Sequence, residues 1–309
     1  MMNHIVDVVI PSYKPGEKLR RCLTMLSKQT LPPEYIFIIN TEKKYFDPSL
    51  TADFANVSIT HIKKQDFDHG ATRNLGVRKS QAEFVLLMTD DAVPKDTKLI
   101  ETMVKTFETD EKIAAVYGRQ LPTSESAEDE RYARQFNYPA KSFVKSMADK
   151  ERLQIKTYFQ SNVCCMYRRA VLEALGGFPT PMIFNEDMVF CHTMLAAGYK
   201  SAYCAEAAVY HAHNYSGIQQ LRRNFDLGVS QAEHPEVFSD VKAVGEGMRM
   251  VKGNAKQLLK HGRIFSVVRL FYRSGCKFLG YRLGKSYRKL PMQLVLRITT
   301  NRGYWRNRK

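Results

Sequence analysis

Four short polar motifs in the 309 residues combine residue types and spacings able to do chemistry. Met88-Thr89-Asp90-Asp91-Ala92-Val93-Pro94 sets adjacent carboxylates directly after an apolar run. Hard oxygen ligands at such a place suit Mg²⁺ or Mn²⁺ held against a diphosphate, while a helix N-cap pair with one solvated acid accounts for them without a metal. Asn185-Glu186-Asp187 precedes a helical pattern (Met188, Cys191, Met194, Leu195), so its acids lie at a helix N-terminus. Capping explains them, and a catalytic base requires a reacting hydroxyl nearby. Tyr210-His211-Ala212-His213-Asn214-Tyr215-Ser216 sets two histidines on one face of an extended segment. That pattern binds metal or phosphate, but it lacks a third ligand in sequence. Residues 66–76 form a dense polar loop leading into a helix. Asp68 or His69 can cap it, Gly70 permits a tight turn, and Arg73 and Asn74 reach toward a nucleotide or its phosphates.

The elements that must position these residues follow from periodicity. β-Branched or apolar runs at 6–10, 35–39, 57–62 and 84–88 alternate with helical patterns at 16–29, 71–80 and 96–107. Continuous apolar strands separated by helices predict a parallel sheet covered on both faces, with ligands beyond the carboxyl ends of the strands. The polar loops after Ile10, Ile39, Ile62 and Met88 are therefore where chemistry is expected. Residues 124–149 turn charged and irregular, which predicts a surface excursion or flexible loop. Strands follow at 161–167 and 199–210. Helices are expected at 169–175, stopped by Gly176-Gly177, and at 187–197, stopped by Gly198.

Taken together, these segments resemble the family 2 glycosyltransferases, inverting enzymes of the GT-A fold, over residues 6–229. Val8-Val9-Ile10-Pro11-Ser12-Tyr13 is similar to the family's first strand and nucleotide loop, Arg73-Asn74 with Gly76 to its R-N-x-G helix start, Asp90-Asp91 to its D-x-D element, and Glu186-Asp187 to its E-D catalytic motif. The resemblance implies an α/β fold of the GT-A type, a Rossmann-like nucleotide-sugar-binding mixed sheet flanked by helices, with a C-terminal basic helical extension. It also implies a single displacement in which Asp187 is the base, with Glu186 beside it. The donor would meet Pro11, Ser12, Tyr13, Asn40, Asp68, His69, Arg73, Asn74 and Asp90. Mg²⁺ or Mn²⁺ would sit on Asp91 with His211 or His213, and Arg222 or Arg223 would assist the leaving group. Two positions depart from the family: Asn40 stands where an acidic residue usually meets the base, and Thr89 where the first Asp of D-x-D would be. Finer motifs resemble the rhamnosyltransferase branch, namely Asp68-His69-Gly70, Asp91-Ala92-x-Pro94, His211-x-His213-x-Tyr215-Ser216 and Asn224-Phe225-Asp226-Leu227-Gly228. They imply a dTDP-L-rhamnose donor, the alternative being a UDP-sugar of glucose, galactose or an N-acetylhexosamine.

Charge divides the chain. Up to Glu246 there are 30 basic and 31 acidic side chains, and from residue 247 onward 17 basic and none acidic. A catalytic domain over 1–246 and a basic helical region over 247–309 are the expected units. Lys252, Lys256, Lys260 and Arg263 share a helical face beside Leu258, Leu259, Phe265, Val268 and Phe271, the composition of a membrane-surface element. A solvated helical bundle is the other reading, and Gly262, Gly275, Gly280 and Gly284 argue against one unbroken helix. The expected setting is cytoplasmic, peripheral on the inner face of the cell membrane, with a lipid-linked saccharide acceptor in bacterial polysaccharide synthesis. A nucleic-acid-binding protein using the tail is the competing class. The neutral body disfavours it, and no RNP-like, KH-like or zinc-finger pattern accompanies the charge. A nucleotidyltransferase would call for a G-x-x-x-x-G-K loop, which is absent. The six cysteines show no metal or disulfide spacing and read as reduced thiols. Neither a signal-peptide pattern nor an apolar stretch of the roughly 18–20 residues a spanning helix needs is found.

Overall fold

A computed structural model describes residues 4–241 and 244–306. The first part alternates strand and helix: β1 (Val6–Tyr13), α1 (Glu17–Ser27), β2 (Ile36–Thr41), β3 (Val57–Ile62), α2 (His69–Val77) and β4 (Phe84–Met88). There follow β5 (Val93–Pro94), α3 (Leu99–Glu108), β6 (Ile113–Leu121), α4 (Glu128–Asn137), β7 (Phe143–Lys145), α5 (Lys150–Leu153), β8 (Cys164–Arg168) and α6 (Arg169–Ala174). The last part holds α7 (Glu186–Ala196), β9 (Lys200–Tyr210), α8 (Gly217–Glu233), α9 (Pro235–Phe238), α10 (Val244–Lys260), α11 (Ile264–Lys285), α12 (Met292–Ile298) and α13 (Arg302–Arg306).

One sheet runs in the order β3-β2-β1-β4-β8-β6-β9-β5, with β7 also paired to β9. Strands β3, β2, β1 and β4 are parallel, as predicted; β1, β2 and β4 are buried almost throughout, whereas β3 at the edge alternates apolar residues with Ser58, Thr60 and His61. Beyond β4 the sheet is mixed, because β8 enters antiparallel between β4 and β6. The wholly parallel sheet expected from the runs thus holds for one half. Side chains alternate across it: Val8 and Ile10 of β1 pack with Leu19, Leu23 and Leu26 of α1 on one face, and Val9 joins α2, α6 and α7 on the other.

Two expectations are corrected. No strand is expected at Ile113–Leu121, yet β6 bridges β8 and β9 in the centre of the second half. Residues 124–149, expected as a surface excursion or loop, contain α4 and edge strand β7. The acids of α4 serve as a seat for the tail: Arg273 contacts Asp129 at 2.8 Å, Arg263 contacts Glu128 at 3.3 Å, and Ser266 Oγ donates to Glu128 at 2.7 Å.

The basic C-terminal region is built onto the rest. α10 and α11 form a hairpin turning at Gly262 (φ +68°), and the change in charge falls in the first turn of α10. Gly280 and Gly284 do not break α11. They let it lie against α8, since a Cβ on either would come within 2.1 Å of a carbonyl oxygen of Leu221 or Phe225. Val295, Tyr304 and Trp305 close a separate core over Ile183, Phe225 and Val229. Asp226, fully buried on α8, accepts from Thr299 Oγ1 at 2.6 Å and from the Thr300 N–H at 2.8 Å. Cys22, Cys164, Cys165, Cys191 and Cys204 are buried free thiols, and Cys276 is half-open. Among the described residues no helix is long and apolar enough to cross a membrane.

Candidate active site

Register, not sequence proximity, assembles the site. β5 pairs Val93 with Tyr210 at the end of β9, which carries Asp91 beside His211 and His213. Asp91 Oδ1 lies 3.4 Å from His211 Nε2, and Oδ2 lies 3.4 Å from His213 Nε2. One ligand atom from each of the three residues falls within 4.8 Å of the others, so Asp91 stands where a third ligand beside the H-x-H pair would be needed. β6 runs parallel to β9 and places Gln120 opposite Val209. Its Oε1 accepts from His211 Nδ1 at 3.0 Å and also from Arg134, which fixes the histidine tautomer and leaves Nε2 a free lone pair. Burial holds His211 well below its ordinary range and lowers His213, so both imidazoles are neutral and able to bind a cation.

The second group gathers at the start of α7. Asn185 takes a left-handed conformation (φ +62°), and its side chain makes no cap bond. Glu186 is buried 3.2 Å from Arg73 Nη1 and accepts from Asn162 Nδ2 at 3.2 Å. Burial acts to raise its pKa, but the Arg73 charge, with the hydrogen bond from Asn162, outweighs that, so it stays ionised. Asp187 is half-buried and accepts from the Asn162 N–H at 3.2 Å and the Met188 N–H at 2.8 Å. Burial first, then the Glu186 charge, push its pKa up to about 7. Two adjacent carboxylates are thereby driven apart, one a fixed anion and the other a proton acceptor poised near neutrality.

A hydrogen-bond thread joins the two groups. His211 donates to Gln120, Gln120 Nε2 donates to Ser161 Oγ at 3.1 Å, and the neighbouring Asn162 holds both Glu186 and Asp187. Behind it, Ser201 Oγ donates to Gln160, Gln160 Nε2 to Tyr167 Oη, and Tyr167 Oη to Asn162 Oδ1 at 2.7 Å. A wall also spans the gap. His69 lies 6.0 Å from the Phe184 ring, Arg223 sits 4.6 Å over Phe184 and 5.6 Å from Tyr215, and Tyr215 stacks on His213 at 4.8 Å. Burial holds His69 down to about 4, so it is neutral. Both paired arginines are exposed, and Arg223 is the one that lies over the Phe184 and Tyr215 rings beside the site.

The expected donor residues divide. Pro11 and Ser12 end β1 beside Ile39 and Asn40. Tyr13 is exposed, meets Tyr45 edge-on at 5.8 Å, and its N–H donates to Asp90, whose pKa burial and Asp91 push up to about 7. Asn40, expected against the base, is completely buried. Its oxygen accepts from Ser12, and its amide donates to Glu42 O at 3.2 Å and His61 Nδ1 at 3.0 Å, so it shapes the loop from within. Asp68 and Asn74, also expected on the donor, are turned to bracing. Asp68 caps α2 at Gly70 and Ala71 and accepts from the Met182 N–H at 2.5 Å. Asn74 bonds both backbone groups of Phe178, at 2.8 and 2.9 Å. Together they tie α2 to the segment that delivers Glu186 and Asp187. Sequence reasoning missed Gln120, Gln160 and Asn162: neutral amides carry no chemical signature, and their partners lie far along the chain.

The Glycosyl transferase family 2 model matches residues 7–176. The chain belongs to that family. The transferase is 41% identical over 98% of its length, and 96% of the relative's, to the O-antigen chain rhamnosyltransferase RfbN of Salmonella typhimurium. It is 38% identical to the O-antigen chain rhamnosyltransferase WbaN of Salmonella anatum, over 97% and 95% of the two chains. Its fold resembles that of a mannosyltransferase from Pyrobaculum calidifontis solved with GDP-Man and Mn²⁺ (TM-score 0.58, 16% identity, 92% of this chain and 86% of that one). A similar likeness links it to S. aureus TarS 1–349 solved with UDP-GlcNAc (TM-score 0.53, 14% identity, 92% of each chain). The transferase thus has the GT-A fold expected of it.

Proposed function

We propose that this glycosyltransferase moves L-rhamnose from dTDP-L-rhamnose to a hydroxyl of a lipid-linked saccharide in cell-surface polysaccharide synthesis, with inversion, at the cytoplasmic face of the membrane. Full-length similarity to two O-antigen chain rhamnosyltransferases carries the sugar assignment. The unequal carboxylates of the E-D motif support the reaction type.

In this reading the acceptor oxygen attacks the anomeric carbon while Asp187 takes its proton, and the bond to the dTDP oxygen breaks on the opposite face. Glu186 stays ionised on Arg73 and holds Asp187 basic. Arg223, over Phe184 and Tyr215, faces the departing diphosphate. Asp91, His211 and His213 fit a divalent cation, because one carboxylate and two neutral imidazoles converge and Gln120 aims one of them. Two nitrogen ligands favour Mn²⁺ over Mg²⁺. Such an ion would offset the charge gathering on the leaving diphosphate.

Thermal shift with Mn²⁺ and dTDP-L-rhamnose, UDP-glucose, UDP-N-acetylglucosamine or GDP-mannose tests the donor. The rhamnose donor should stabilise most, by about 2.7 kcal/mol at a hundredfold excess over Kd. A larger shift with a UDP-sugar overturns the sugar assignment and leaves the reaction type standing.

A further inference from the structure

The hairpin of α10 and α11 ends in an apolar tip set among cations, and we propose that this tip docks on an anionic lipid bilayer. The inner side of the hairpin is closed, with Ala255 and Leu258 packed on Leu270. On the outer side, around the turn at Gly262, Leu259, Ile264, Phe265 and Val268 are 57, 65, 91 and 64% exposed. A cluster of large apolar side chains left this open on a folded domain marks a surface that meets something apolar.

Charge selects the occupant. Lys252, Lys256 and Lys260 form an exposed ridge one helical turn apart along α10, with no ion pair among the described residues. Arg263 beside them stays 62% exposed despite its contact with Glu128. A second copy of the chain meeting this face tip to tip would crowd like charges together, since residues 247–309 contain no acid. A nucleic acid would satisfy the cations, but Phe265 alone of the four tip residues offers a ring for a base to stack on, and Leu259, Ile264 and Val268 would stay open to water. A bilayer with acidic headgroups satisfies both sets at once: phosphates meet the lysine ridge, and the tip enters the boundary with the acyl chains.

The tip is fixed to the site. α11 lies on α8 through Gly280 and Gly284, and α8 carries Arg223 against Phe184, two residues before Glu186. Docking would therefore hold the site beside a surface that carries its acceptor, a purpose that rests on the lipid-linked acceptor of the proposed function.

The test is partition of the full-length protein onto phosphatidylcholine vesicles with and without phosphatidylglycerol. Binding is expected only with the acidic lipid and should fall in high salt. Lys252→Gln, Lys256→Gln and Lys260→Gln combined should weaken it about a hundredfold, and Ile264→Ser with Phe265→Ser at least about tenfold. Phe265→Trp should show a blue shift on anionic vesicles over a constant background, because Trp305 is 6% exposed. No binding by the unaltered protein, or equal binding by both sets of variants, overturns the proposal. So does a dimer in sedimentation velocity that Phe265→Ser dissolves, or retention by duplex DNA in place of vesicles. Donor-induced thermal shift, measured without lipid, fails or succeeds separately, so loss of the docking surface and loss of the rhamnosyl reading are told apart.

Discussion

Burial and the charge of Glu186 both oppose ionisation of Asp187, while Arg73 keeps Glu186 charged, so of this pair Asp187 is the one that exchanges a proton near neutral pH. Asp187→Asn should lower kcat by about 10²–10⁴ with donor-induced stabilisation unchanged, checked by product formation and thermal shift side by side. Because the base must be ionised to act, kcat should rise with pH and level off above about 7, the pKa of Asp187. Asp90 is also pushed up to about 7, so Asp90→Asn assigns the limb: it persists if Asp187 owns it. Stability runs the other way. A carboxyl whose folded pKa is raised binds more protons folded than unfolded between about pH 4 and 7, so stability falls as pH rises through that window. Urea denaturation at pH 5 and pH 8 should show a smaller loss for Asp187→Asn than for the parent. The acidic pair, the histidine pair and Arg73 were legible because their types announce chemistry. Gln120 and Asn162 were not, since an amide acquires a role only from what the register sets beside it.

Helix α2 and the segment before α7 behave as one device. Gly70 is the point of closest approach, where a Cβ would lie 2.0 Å from Pro179 O. Gly70→Ala should push that segment off α2, costing about 1–3 kcal/mol in stability and lowering kcat more than donor affinity, by urea denaturation and steady-state kinetics. Short strongly patterned elements such as β1, β4 and α1 were readable because one face or both are apolar without interruption. β6 was not separated from its surroundings, since Ala114, Ala115 and Gly118 dilute its run. α4 reads as loop because its stabilising partners, Arg263 and Arg273, arrive from more than 130 residues away.

At the scale of the whole chain, the C-terminal region reaches back to the site. Val295, Tyr304 and Trp305 cover Ile183, and Thr299 and Thr300 bind Asp226, so truncation after Leu290 should expose that core and strip Asp226 of its partners. Such a chain should lose stability by about 2–5 kcal/mol or fail to fold, read by circular dichroism and thermal melting. Composition located the charge but not this packing, because a basic tail looks alike whether it is solvated or seated. The thiols have a use of their own. Burial raises the pKa of Cys22, Cys164, Cys165, Cys191 and Cys204, and a thiol held protonated inside a core does not react with maleimide. Cys276, on α11, keeps open surface. The natural chain therefore accepts a fluorophore or spin label at a single position, on the helix that links the hairpin tip to α8, with no cysteine engineered in or out.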